Sequence, residues 1–221
     1  MLPMHYNAAA ELSHDRYLRA PNRAVEHFFL SKTEFDEVTR ITRVINAFYN
    51  WDHNSCESLI DHGGLIHPID FANAYPDSSP VSLHYYFPGL VKAMTRWLIF
   101  VAVSQRKKPR FGHDWDEYFA VRDEADATGM SYQERLSRYN EIALRHFAAA
   151  EFEAFCAEHL PDFDEQAYDF FGSDKFTSIL ETEVRYYFKI PQEQPAKVEH
   201  YLGIHNFWLH CELDRLRARR T

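Results

Sequence analysis

The sequence predicts an α+β fold, a small mixed sheet with an antiparallel hairpin at about 54–73, packed on helices and followed by a mostly helical C-terminal region. Three observations predict it. Two short apolar runs, 54–60 and 65–72, have strand character and flank "DHGG". The segment before them repeats apolar residues at helical spacing. After Pro80 the chain reads as successive helices punctuated by Pro and Gly.

Residues 1–30, with Pro3, Pro21 and short polar clusters, read as loop with short strand pieces. A helix is predicted over 33–50. Ser31 and Glu34 have capping-box spacing, and Phe35, Val38, Ile41, Ile45 and Phe48 recur every three or four residues. The segment from Pro88 to Gln105 is apolar around most of its circumference, which predicts a buried helix ended by Pro109 and Gly112. A helix at 114–126 closes at Gly129. Ser131 and Glu134 cap a long helix running to about 159, where Pro161 stops it. Ser173 caps another to about 189, and Pro191 and Pro195 precede a last helix at 196–217. No internal repeat or low-complexity tract occurs. The natural division is a mixed α/β portion, 1–108, and a helical portion, 109–221, joined by "RKKPRFG".

Composition narrows the function. With 18 Phe, 13 Tyr and 4 Trp in 221 residues, the chain can build a sizeable core. A formal charge of −9 disfavours coating nucleic acid or an anionic membrane. The basic runs "QRKKPR" (105–110) and "RLRARR" (215–220) read as a solvated loop and a solvated helix end. Cys56, Cys156 and Cys211 are widely spaced and lack C-x-x-C, as in a reducing compartment. The N-terminus has no signal-peptide pattern, and the longest apolar run, "WLIFVAV" (97–103), is too short to span a bilayer. A soluble cytoplasmic protein is expected.

The segment "NSCESLIDHGGLIHPIDFAN" (54–73) carries the chemistry. If Gly63 and Gly64 form a two-residue turn, Glu57 faces Asp70, Ser55 faces Ala72 and Asn54 faces Asn73. Directly opposed Cβ atoms lie about 5 Å apart, where like charges repel. A divalent ion relieves that repulsion, and hard oxygen ligands suit Mg²⁺. A turn centred on His62 and Gly63 would instead set Glu57 against Pro68, with Asp70 only on the diagonal.

The order "MHYNAAAELSHDRYL", "EFDEVTRITRVINAFY" and "NSCESLIDHGGLIHPIDFANAYPDS" resembles the C-terminal subdomain of ATP-grasp enzymes, the ATP-dependent carboxylate–amine ligases, over about residues 1–100. The resemblance implies metal-ligand roles for Glu57, Asp70 and Asn73 toward the Mg²⁺ of Mg-ATP. It implies a phosphate-directed catalytic role for Arg16 and a small carboxylate and amine as substrates. In the family one residue separates the acid from the Asn, whereas two residues separate Asp70 from Asn73. No Gly-rich, Lys-bearing phosphate loop precedes this segment, so a complete ligase needs a further N-terminal portion or a partner chain.

Two other readings compete. One is a non-catalytic helical module that binds a protein partner. The other is a helical carboxylate and histidine metal site, drawn from Glu11 and His14, His53 and Glu57, or His210 and Asp214. His200, His205 and His210 are spaced by five, so they cannot converge on one ion and read as interface or solvent-facing residues. Cys211 reads as a buried free thiol, and "HYYFPGL" (84–90) as core packing rather than a stacking platform.

Overall fold

The computed structural model describes residues 32–60, 65–73 and 78–219. The protein is mainly helical, which corrects the α+β expectation. Among the described residues the only strands are β1 (Ser55–Ile60) and β2 (Ile66–Asn73), and they pair only with each other. The physical reason is local. The two apolar runs satisfy one another as a ribbon, no third strand among the described residues joins them, and helix α1 (Lys32–Tyr49) packs against β2. The strand pieces expected before residue 31, and the Ser31 cap, lie outside the described residues.

Helices α2 (Pro80–Leu83) and α3 (Phe87–Ser104) follow, separated by a 3-10 turn at His84–Tyr86. Then come α4 (Trp115–Thr128), α5 (Tyr132–His146), α6 (Ala149–His159), α7 (Phe163–Phe171), α8 (Asp174–Tyr187) and α9 (Gln194–Ala218). Gly129 ends α4 in the left-handed region, with φ 69°, and its N–H donates to the Ala125 carbonyl at 3.0 Å. Ser131 and Glu134 form the full capping box at the start of α5.

Two apolar cores result. In the first, α1 packs on α5: Val38 and Ile41 meet Ile66 and Leu136, and Tyr118, Val121 and Ile142 extend the cluster through α4. In the second, α9 packs on α7 and α8, burying Phe171, Phe176, Leu180, Val184, Tyr201 and Trp208. Tyr85 and Phe87 pack against that core, in keeping with the packing role read for 84–90. Helices α3 and α6 contact each other between the two.

Three expectations need correction. The helix expected from 131 to 159 breaks after His146, with Ala148 in the left-handed region at φ 46°. In a continuous helix the His146 carbonyl would accept from the N–H of residue 150. Here the Arg106 guanidinium donates to that carbonyl, and the Phe147 ring turns edge-on to Trp97 at 5.9 Å. Helix α7 was not anticipated between Pro161 and Ser173. Helix α3 is not buried all round, since Leu98 and Val103 are 61% and 64% exposed. By length and composition α3 is the one described helix that could cross a membrane, with mean hydropathy 1.3 over 18 residues. Two of its side chains, Lys92 and Arg96, join an ion cluster with α7 and α9.

Candidate functional site

Three places gather polar chemistry: the ribbon, the ion cluster and a cavity. The ribbon places Glu57 directly opposite Asp70, as the sequence register has it. The route differs. Ile60 pairs with Ile66 and Leu59 with His67, so five residues, not two, separate the strands at the turn. Ser58 faces Pro68, Glu57 faces Asp70 and Ser55 faces Asn73, so two slips each lodge an extra residue in β2. The expected pairs of Ser55 with Ala72 and of Asn54 with Asn73 do not form.

The slips have visible causes. Pro68 lacks an N–H and sits at the first slip, where a ladder bond is not required of it. At the second, the buried Asn54 side chain donates from Nδ2 to the Phe71 carbonyl at 2.8 Å and occupies a group that the ladder would otherwise use. Asn54, Cys56 and Ser58 are buried at period two, so this edge of β1 is anchored in the protein. As a result Asn73 stands two ladder positions from Asp70 although it is the third residue after it in sequence. Arg16 lies outside the described residues, as do Glu11 and His14.

The ion cluster joins α3, α7 and α9. The Asp164 carboxylate, 3% exposed, lies 2.8 Å from Lys92 Nζ, 2.6 Å from Arg96 Nη2, 3.0 Å from Arg215 Nη2 and 2.6 Å from Arg219 Nη1. Glu212 accepts from Arg215 Nε at 2.8 Å and Nη2 at 2.6 Å, and from Lys92. Burial opposes ionisation of Asp164, but the hydrogen bonds from Lys92, Arg96 and Arg215 win and hold it well below the usual carboxylate range. The same contest lowers Glu212, and its hydrogen bonds raise Arg215. Four cations face two carboxylates, so the cluster carries an excess of positive charge.

The cavity, about 840 Å³, opens between α3 and the α5–α6 break. Met94, Trp97, Phe147 and Phe152 supply much of its wall. Its polar groups are Arg43, Arg96, Arg145, Asp52, Glu151 and Glu153. Asp52 is engaged by Lys108 at 2.7 Å and by Trp97 Nε1 at 3.2 Å, Arg145 by Glu117, and Arg43 by Asn140 at 2.6 Å.

The basic runs therefore have structural work that the sequence did not reveal. Arg106 grips the His146 carbonyl and lies 5.8 Å from the Trp97 ring, while Arg215 and Arg219 reach Asp164. The missed signal was Lys92 and Arg96, charges four residues apart inside an apolar helix, which need buried partners. His205 is core rather than solvent-facing, with Nε2 donating to the Phe171 carbonyl at 2.8 Å. His53 precedes a strand, so it forms no helical pair with Glu57. His210 and Asp214 form an exposed pair at 3.7 Å. Among the described residues, no group of three or more His, Cys, Asp or Glu could hold a metal ion. Comparison with protein-family models, curated proteins and solved structures returned no match.

Proposed function

We propose that this chain is the C-terminal part of an ATP- and Mg²⁺-dependent carboxylate–amine ligase of the ATP-grasp type, acting from the cytoplasm. One observation carries the reading: Glu57 and Asp70 are direct ladder partners, and the slip in β2 sets Asn73 at the next position of the same parity. In the resemblance these three residues hold the metal of Mg-ATP. Two carboxylates and an amide oxygen are the hard donors that Mg²⁺ takes. The bound metal neutralises charge on the phosphate oxygens. This chain's part is to present Glu57 and Asp70 together, with Asn73 as a neutral third donor and Arg16 directed at phosphate. The substrate carboxylate would take the γ-phosphoryl group of ATP with release of ADP, and the amine would then displace phosphate from the acyl phosphate. The remaining nucleotide-binding parts come from a further N-terminal portion or a partner chain.

Mg-ATP titration monitored by thermal unfolding tests this. At a hundred times Kd, binding adds about 2.7 kcal/mol of stability. Glu57→Gln and Asp70→Asn should each remove that shift while leaving the unliganded midpoint in place. Absence of a shift, or a shift that both variants retain, rejects the site in this chain. A second reading, a non-catalytic module that binds a protein partner, is favoured by one observation. Leu98 and Val103 expose apolar surface on α3.

A further inference from the structure

We propose that the cavity between α3 and the α5–α6 break binds a small amphipathic monocarboxylate, an aromatic or acyl acid. Its head group sits on Arg96 and the first turn of α6, and its apolar body lies against Trp97 and Phe152. The site is separate from the ribbon and does not rest on the magnesium reading. At about 840 Å³ the cavity has the size of a small-molecule site, with apolar walls and few polar groups.

Arg96 is the group that selects charge. Its side chain lines the cavity and is 26% exposed, with Nη2 fixed 2.6 Å from Asp164 and the guanidinium 4.7 Å from the centre of the Phe163 ring. A guanidinium held on two sides loses little freedom when a carboxylate takes N–H donors that Asp164 leaves open. Behind it stands the ion cluster with its excess of positive charge, which favours an anion in front.

The backbone adds a second donor. Helix α6 begins without a side-chain cap, and Ala149 to Glu151 line the cavity. The carbonyl of His146, which a continuous helix would offer to Ala150, is engaged by Arg106. The first-turn N–H groups of this eleven-residue helix therefore keep donor capacity toward an anion. The other charges limit the ligand to one negative group. Asp52, Arg145 and Arg43 have partners, while Glu151 and Glu153 line the same cavity and oppose any anion, so Arg96 offsets a single negative group and a polyphosphate is repelled.

Calorimetric titration of the full chain with 1-naphthoate and with its neutral analogue 1-naphthalenemethanol, in EDTA and without nucleotide, tests the proposal. The acid should bind one saturable site at least tenfold more tightly than the alcohol. Arg96→Gln should remove that preference and Arg96→Lys should restore part of it, with circular dichroism confirming the fold of each. Should Arg96→Gln not fold, the wild-type comparison of acid and alcohol decides by itself. Equal binding of the two probes, no binding of either, or an unchanged preference in a folded Arg96→Gln overturns the proposal. Because metal and nucleotide are absent, either outcome leaves the ribbon reading untouched.

Discussion

The core around α8 and α9 and the interface of α3 with α6 use the same kinds of side chain and reach opposite ends. In the first, Phe171 meets Phe176 edge-on at 4.8 Å and Trp208 at 5.3 Å, and both Phe171 and Tyr201 are fully buried. In the second, Phe152 meets Trp97 edge-on at 5.6 Å and Phe100 at 5.4 Å, yet a cavity remains beside them. The difference lies in the backbone. Helix α9 runs unbroken for 25 residues against its neighbours, whereas the helix facing α3 is interrupted at the α5–α6 break, and the cavity opens beside it. Aromatic content supplies cohesion, but helix continuity decides where packing closes.

The strongest way to break the comparison is at the ion cluster, which ties α9 to α3. Asp164→Ala leaves four cations without their shared partner, and urea unfolding should show a loss of about 3–5 kcal/mol. The same group predicts acid sensitivity. Its folded pKa lies below the unfolded value of about 4, so its contribution is complete above that pH and is lost as pH falls further. Wild type should therefore destabilise steeply below about pH 4, and Asp164→Ala should do so less.

A matched pair of truncations sharpens the contrast between closed and open packing. Phe171→Ala should cost about 3–5 kcal/mol in denaturant unfolding, as a large cavity opens in a filled core. Phe152→Ala, beside existing space, should cost only about 1–2 kcal/mol. Near-equal costs would mean that the two regions are packed alike. Ser131→Ala removes the α5 cap and should lower stability by about 1 kcal/mol wherever the cavity stands.

The smallest effect should come from His205. Burial lowers its pKa, so its stabilisation is whole above the unfolded value of about 6.5 and declines as pH falls below it. The thermal midpoint should drift down between pH 7 and 5, and His205→Gln should flatten that drift.

Local signals were legible in the sequence, and distant ones were not. The capping box of Ser131 and Glu134 and the Gly129 stop are written in adjacent residues, and both form. Glu57 could be set opposite Asp70 from the ribbon alone, although the turn and the other pairs came out differently. The break at Ala148 could not be read, because the group that takes the freed His146 carbonyl is a guanidinium forty residues away. The cavity lies beside that break, so it was equally hidden. The fold class was misjudged because a strand pattern says what a segment pairs like, not whether a third strand exists to extend it. Lys92 and Arg96 were readable as misplaced charges, but their partners, on α7 and α9, were not.

The slip between Asp70 and Asn73 has a consequence at the level of the codon. Because the extra residue in β2 is absorbed there and held by Asn54, the ribbon tolerates a change in length at that point without exchanging its facing pairs. Deleting one residue from Phe71 or Ala72 would leave Ser55 opposite the same asparagine and Glu57 opposite the same aspartate. Deleting Ile69 at the other slip would likewise keep the pairs on both sides, whereas deleting a paired residue of β2 would move every pair beyond it. The ribbon thus has two places where a deletion leaves the facing pairs unchanged.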